Sequence, residues 1–235
     1  MLKKLTILTL TFLFTGCNQP LTKIANIEEA SGIDYCKNSD SLIIANDEGF
    51  MYEITTDGKE IRTQNLGAYD LEGVVCTENE FVFAIEDGYL LFVDRNTLKS
   101  KRVAIDGYKF TDELGIEGIA INYNGDIYVS IQSKKKSKAK ILKLEVKGKK
   151  YVVIVEISSE IKDSAGMTFY KDELYVVSDK KNTLYKYSFN KKRKVLISKL
   201  PKELAQEGIT FDGYGYMYIA NDNGGVYKFK EGDYK

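Results

Sequence analysis

Nearly the same four letters recur five times along this chain: SGID from Ser31, EGVV from Glu72, EGIA from Glu117, AGMT from Ala165 and EGIT from Glu207. The repeated glycines, Gly32, Gly73, Gly118, Gly166 and Gly208, stand 41, 45, 48 and 42 residues apart. A period of that size suits a four-stranded propeller blade or a pair of repeat helices. The segments that follow each glycine decide between them. SLIIAND, EFVFAIED, DIYVSIQ, ELYVVSD and YMYIAND are rich in Ile, Val, Phe and Tyr, and Asn, Asp and Gly bound them, which is strand chemistry. Third segments follow (FMYEITTDG, LLFVDRN, KILKLEV, LYKYSFN, GVYKFK), then fourth ones (IRTQNL, KRVAI, YVVIVEI, KVLISKL). The fifth repeat stops after its third segment. A substitute stands at the other end of the chain, LTKIANI, Leu21 to Ile27. Closing a ring in this way leaves no open sheet edge between its first and last units. The expectation is an all-β fold: a five-bladed β-propeller of four-stranded antiparallel blades over residues 21–235, closed by an N-terminal strand. Six blades would need a sixth repeat, and none is found.

The N-terminus reads differently. Met1 to Lys4 is short and basic, and Leu5 to Phe14 is an apolar run too short to span a bilayer as a stable helix. It ends at Phe14-Thr15-Gly16-Cys17, which resembles the lipobox of bacterial lipoproteins. The resemblance implies a signal peptide over residues 1–16, lipidation (palmitate) at Cys17 and a linker over 17–20. The alternative is an ordinary signal peptide cut nearby. Both readings take the protein out of the cytoplasm into the bacterial cell envelope. Asn18 after the cysteine favours the outer membrane, facing the periplasm or the cell surface, over the inner one.

Charge and composition narrow the function. The chain carries 34 basic and 34 acidic residues, and losing Lys3 and Lys4 with the signal peptide leaves 32 against 34. That balance argues against general nucleic-acid binding. There is no histidine and no G-x-S-x-G, so no nucleophile–base triad is expected.

The acidic residues are patterned. Glu72, Glu117 and Glu207 directly precede the repeat glycine, and the two other repeats carry Glu29 and Asp163 two residues further back. Positions two apart on a strand point the same way, so an extended backbone would aim one carboxylate per unit at a common region. The second segments end in a matching set, Asp47, Glu86, Gln132, Asp179 and Asp222. The start of a first strand and the end of its antiparallel neighbour lie on the same face. That face therefore gathers Glu29, Glu72, Glu117, Asp163, Glu207, Asp47, Glu86, Asp179 and Asp222. Such carboxylates repel one another unless solvated, protonated or neutralised by a cation. Oxygen ligands without imidazole or thiolate suit a hard ion, Ca²⁺ first. Ordinary turn chemistry also explains Asp at strand ends. Hydrogen bonds joining the blades are the plain alternative for the glutamates.

The run EASGI, NDEG, DLEGVV, IED, GIEGIA, DSAGM, VVSD and AQEGIT, in that order, resembles the SdiA-regulated domain family of bacterial proteins. The resemblance implies a propeller, a membrane-anchored or exported protein and, less firmly, calcium at the axial mouth. It carries no established reaction. The reading is an exported, lipid-anchored monomer with a small-molecule or protein ligand at the acidic mouth. The alternatives are a metal-dependent hydrolase of a small ester, lactone or phosphoester, and a structural scaffold.

Further expectations concern orientation and sulfur. The closing strand starts on the face opposite the carboxylates, where Lys147, Lys149, Lys150, Lys191, Lys192, Arg193 and Lys194 also gather. The choice is between a membrane-facing basic surface and plain solvated turns. QSKKKSKAK, residues 132–140, belongs to the acidic side as a solvated loop. Cys36 and Cys76 fall in adjacent units. Their opposite parity suits facing surfaces of neighbouring sheets and leaves a disulfide open, but sheets pack about 10 Å apart, beyond the about 7 Å that a disulfide tolerates between Cα atoms, so two buried free cysteines are the first expectation.

Overall fold

Every glycine of the repeat sits in the first strand of a run of antiparallel strands. A computed structural model describes residues 21–234. The chain enters along β1 (Thr22–Ala25). One sheet follows: β2 (Ala30–Cys36), β3 (Ser41–Asn46), β4 (Phe50–Thr55) and β5 (Glu60–Asn65). The next strands are β6 (Leu71–Cys76), β7 (Glu80–Ile85), β8 (Tyr89–Asp94) and β9 (Ser100–Asp106), then β10 (Ile116–Ile121), β11 (Ile127–Ile131), β12 (Lys140–Lys147) and β13 (Lys150–Ser158). These form one eight-stranded sheet, in which two antiparallel runs meet through a short parallel contact of Tyr151 and Val152 with Ile105 and Asp106. The third sheet is β14 (Ser164–Tyr170), β15 (Glu173–Ser178), β16 (Thr183–Ser188) and β17 (Arg193–Lys199). The last is β18 (Gln206–Phe211), β19 (Met217–Asn221) and β20 (Gly225–Phe229), and its fourth member is β1, paired antiparallel to β20. The fold is all-β and propeller-like. The expected signal peptide, Cys17 and the linker to residue 20 lie outside the described residues.

The local sequence explains the layering. All six residues of β3, SLIIAN, are buried, because this strand is covered on both faces. β5, EIRTQN, is almost entirely exposed and polar, as an outer edge requires. Apolar clusters fill the interfaces around the ring. Leu90, Ile119, Val129 and Leu142 pack between the two halves of the eight-stranded sheet, and Leu184, Ile209 and Ile219 between the last two sheets. Burying each such side chain stabilises the fold by about 1.5–3 kcal/mol.

At the centre, the five first strands converge on their glycines. A Cβ built on Gly32 would stand 2.7 Å from the Cα of Gly73, and one on Gly73 3.0 Å from the Cα of Gly118. The same construction puts Gly118 3.2 Å from Gly166, Gly166 2.6 Å from Gly208, and Gly208 3.0 Å from the carbonyl carbon of Gly32. The contacts thus return to their start. The repeat glycine is there because any side chain would strike neighbouring backbone.

That convergence corrects the cysteine expectation. Cys36 and Cys76 are joined by a disulfide, with Cα atoms 5.3 Å apart. Sheet spacing of about 10 Å applies further out. Near the axis, first strands that touch through glycine lie close enough to bridge.

Candidate functional site

The axial end where first strands begin and second strands finish collects the carboxylates. Glu72, Glu117 and Glu207 sit on β6, β10 and β18, one residue before the glycine girdle. Asp47, Glu86, Gln132, Asp179 and Asp222 each directly follow a second strand. Those in the first group are more enclosed: Glu117 is buried and Glu72 and Glu207 are half-buried, while Asp222 is exposed.

Two residues depart from the strand argument. Glu29 and Asp163 have φ of 49° and 46°, so each occupies a left-handed turn, and the extended backbone does not reach them. Their fates then differ. Glu29 is exposed, whereas Asp163 is 2% exposed. Neither carboxylate oxygen of Asp163 has a hydrogen-bond partner; the nearest cation, the Lys180 ammonium, stands 3.9 Å from Oδ1. Asp47 Oδ1 is likewise buried without a hydrogen bond.

The electrostatics of the ring follow from burial and like charge. Burial, reinforced by Glu86 and Asp70, pushes Glu117 up to about 8, although a hydrogen bond from Gln132 acts the other way. Burial, with Glu117, Asp179 and Asp222, pushes Glu207 up to about 9. Glu72 is raised well above the ordinary carboxylate range by burial and by Glu117 and Asp70. Burial and the neighbouring Glu29, Asp70 and Asp222 push Asp47 up to about 6. Glu86 and Asp179 are raised by burial first, and their acidic neighbours add to it. These carboxylates therefore share one field.

Sequence reading missed two members of this site. Asp70 acts on Asp47, Glu72, Glu86 and Glu117. It lies two residues before Glu72, the same offset that singled out Glu29 and Asp163. Lys180 faces Asp163, and it opposes the rise at both Asp179 and Glu207. Its position in the turn after β15 was its only signal.

The ring can attract a cation or a cationic group, since its donors are oxygens alone. Among the described residues, no three carboxylate or thiol side chains already stand together as a metal-holding group.

The opposite face carries the basic turns. Lys150 pairs with Asp106 at 2.9 Å and Lys147 with Glu145 at 3.8 Å. Lys194 turns inward, and its ammonium donates to the Glu160 carbonyl. Among the described residues, no helix is long and apolar enough to cross a membrane.

A family profile described as SdiA-regulated matches residues 15–230 of the chain. No curated protein matches it by sequence. Among solved structures, Myxococcus xanthus glutaminyl cyclase is similar at a TM-score of 0.66 and 9% identity, covering 88% of this chain and 97% of that one. The β-propeller domain of Cps50 (Swd1) from the Myceliophthora thermophila fungus aligns at 0.51 and 12%, over 88% and 71%. A Bacteroides thetaiotaomicron protein of unknown function aligns at 0.57 and 12%, over 89% and 72%. At these identities the likeness is one of fold.

Proposed function

The chain belongs to the SdiA-regulated family, and from that premise we propose that it is an exported, lipid-anchored five-bladed propeller whose acidic axial mouth is a Ca²⁺-dependent binding module. The twenty strands of the described residues divide into five antiparallel runs of four when β1 is counted with β18–β20. The returning chain of glycine contacts supports one blade per repeat. On this reading the eight-stranded sheet is two blades touching at their outer edges.

The observation that carries the binding role is Asp163. A buried carboxylate with no hydrogen bond to either oxygen and only the Lys180 ammonium 3.9 Å away is costly, and such groups are held where a closer cation balances them. Asp163, Glu117 and Glu207 are the first candidates to hold the ion, and Glu72, Asp47, Glu86 and Asp179 surround them. Glu29 and Asp222 stand at the outer rim. Oxygen donors of this kind match calcium. A bound ion would offer open positions to a carboxylate or carbonyl of a small-molecule or protein ligand.

Lipidation at Cys17 would place the anchor on the far side from this mouth, because β1 starts there. The mouth then faces away from the membrane. Calorimetric titration of chelated full chain with Ca²⁺ tests the binding role. Saturable heat that Asp163→Asn and Glu117→Gln each weaken supports it, and absence of heat at millimolar Ca²⁺ rejects it.

A further inference from the structure

At the axial end away from the carboxylate ring, a cavity of ≈870 Å³ opens among the ends of the first strands. It is a separate compartment. The void left between the girdle glycines is only ≈10 Å³, about the space one water needs. The larger cavity is of the size that small-molecule sites have.

Its two ends differ in chemistry. Outward, its lining is apolar: Val82 and Ile127, both buried in the packed core between β6–β9 and β10–β13, then the part-buried Phe92 and Tyr151. The last two rings stack with centroids 5.7 Å apart and planes 13° from parallel, forming one aromatic wall. Toward the axis stands Asp34 of β2. Thr210 Oγ1 donates to its Oδ1 at 2.9 Å, and the Cys76 backbone N–H donates to its Oδ2 at 2.8 Å. These bonds come from β18 and β6, so three first strands fix this carboxylate. The cavity's other charged residues are Glu78 and Glu80, and no lysine or arginine lines it.

We propose that this cavity binds a small organic cation, an amine on an aromatic or alkyl body, with the ammonium on Asp34 and the body against the Phe92–Tyr151 wall. Charge selects the ligand class. Three carboxylates with no basic partner in the lining repel an anion and attract an ammonium, and a charge-assisted bond is strongest where water is scarce. The aromatic wall adds dispersion and cation–π attraction. Burial lifts Asp34 to about 6, which still leaves it ionised at neutral pH.

The test is calorimetric titration of purified full chain with 2-phenylethylamine, 2-phenylethanol and phenylacetate. The amine binds, the alcohol binds about tenfold or more weakly, and the acid does not bind. Asp34→Asn reduces the amine to the alcohol's affinity. Phe92→Ala, which leaves the Asp34 hydrogen bonds untouched, weakens amine and alcohol alike. The paired change Glu117→Gln and Glu207→Gln leaves amine binding intact, and its loss there would place the amine in the acidic mouth and overturn the proposal. So would equal affinity for amine and alcohol, undiminished amine binding by Asp34→Asn, or no amine binding at millimolar concentration. Should Asp34→Asn fail to fold, the ligand series on the unaltered chain and Phe92→Ala still decide.

Discussion

A Cβ placed on Gly166 would stand 2.6 Å from the Cα of Gly208 and 2.3 Å from the Glu207 carbonyl oxygen. Neither obstacle is the end of a flexible side chain, so the strands themselves would have to part. Gly166→Ala is expected to destabilise the protein by about 3 kcal/mol. Gly213→Ala is the control, because nothing lies within 4 Å of a Cβ there, and it should stay within about 0.5 kcal/mol of the parent. Urea denaturation of both variants checks the difference.

The Cys36–Cys76 bond closes a loop across 40 residues of sequence. Loops of that length gain about 2–4 kcal/mol from cross-linking, chiefly through the unfolded chain. Cys36→Ser should lose that amount, and reduction of the parent should lose as much. Alkylation under denaturing, non-reducing conditions should modify neither Cys36 nor Cys76 in the oxidised protein.

Asp163→Asn should act in opposite directions with and without an ion. Removing this buried carboxylate, which has no hydrogen bond and only the half-exposed Lys180 ammonium 3.9 Å away, stabilises the ion-free protein by about 1–3 kcal/mol, and asparagine tolerates the left-handed turn at φ 46°. The same change removes a ligand oxygen and weakens stabilisation by Ca²⁺. Melting curves in chelator and in calcium separate the two effects.

Stability of the ion-free protein should depend on pH through the mouth. Glu117 and Glu207 rise from 4.5 to about 8 and about 9 on folding. Groups raised in this sense favour the folded state fully below pH 4.5, and that contribution is lost as pH climbs through 8 and 9. The ion-free melting temperature should therefore fall between pH 5 and pH 9. In the Glu117→Gln, Glu207→Gln double variant that slope should flatten. Exposed groups such as Asp94 and Asp126, which are lowered from 3.8, contribute a constant amount across this window, so the slope reports the mouth.

The ring of first strands was legible because its cause is local: a glycine recurring every 41 to 48 residues, then a strand-forming run. The closing strand was legible for the complementary reason, a fifth repeat one strand short. The disulfide was misread because the spacing of whole sheets was applied at the axis, where Gly32 and Gly73 bring the strands together. Glu29 and Asp163 were assigned to the correct face by a backbone argument that fails, since both sit in left-handed turns. Asp34 went unnoticed because a lone carboxylate inside a strand has no repeat partner. Its role depends on Thr210, 176 residues away.

The measurement that bears most directly on the mouth is a thermal melt of the full chain after chelation, with Ca²⁺ titrated back. An ion that binds only the folded form adds about 2.7 kcal/mol at 100 times its dissociation constant. The expected result is a saturable rise in melting temperature that Glu117→Gln with Glu207→Gln abolishes and that grows toward alkaline pH. An unchanged melting temperature at millimolar Ca²⁺, or the same rise in the double variant, would contradict it.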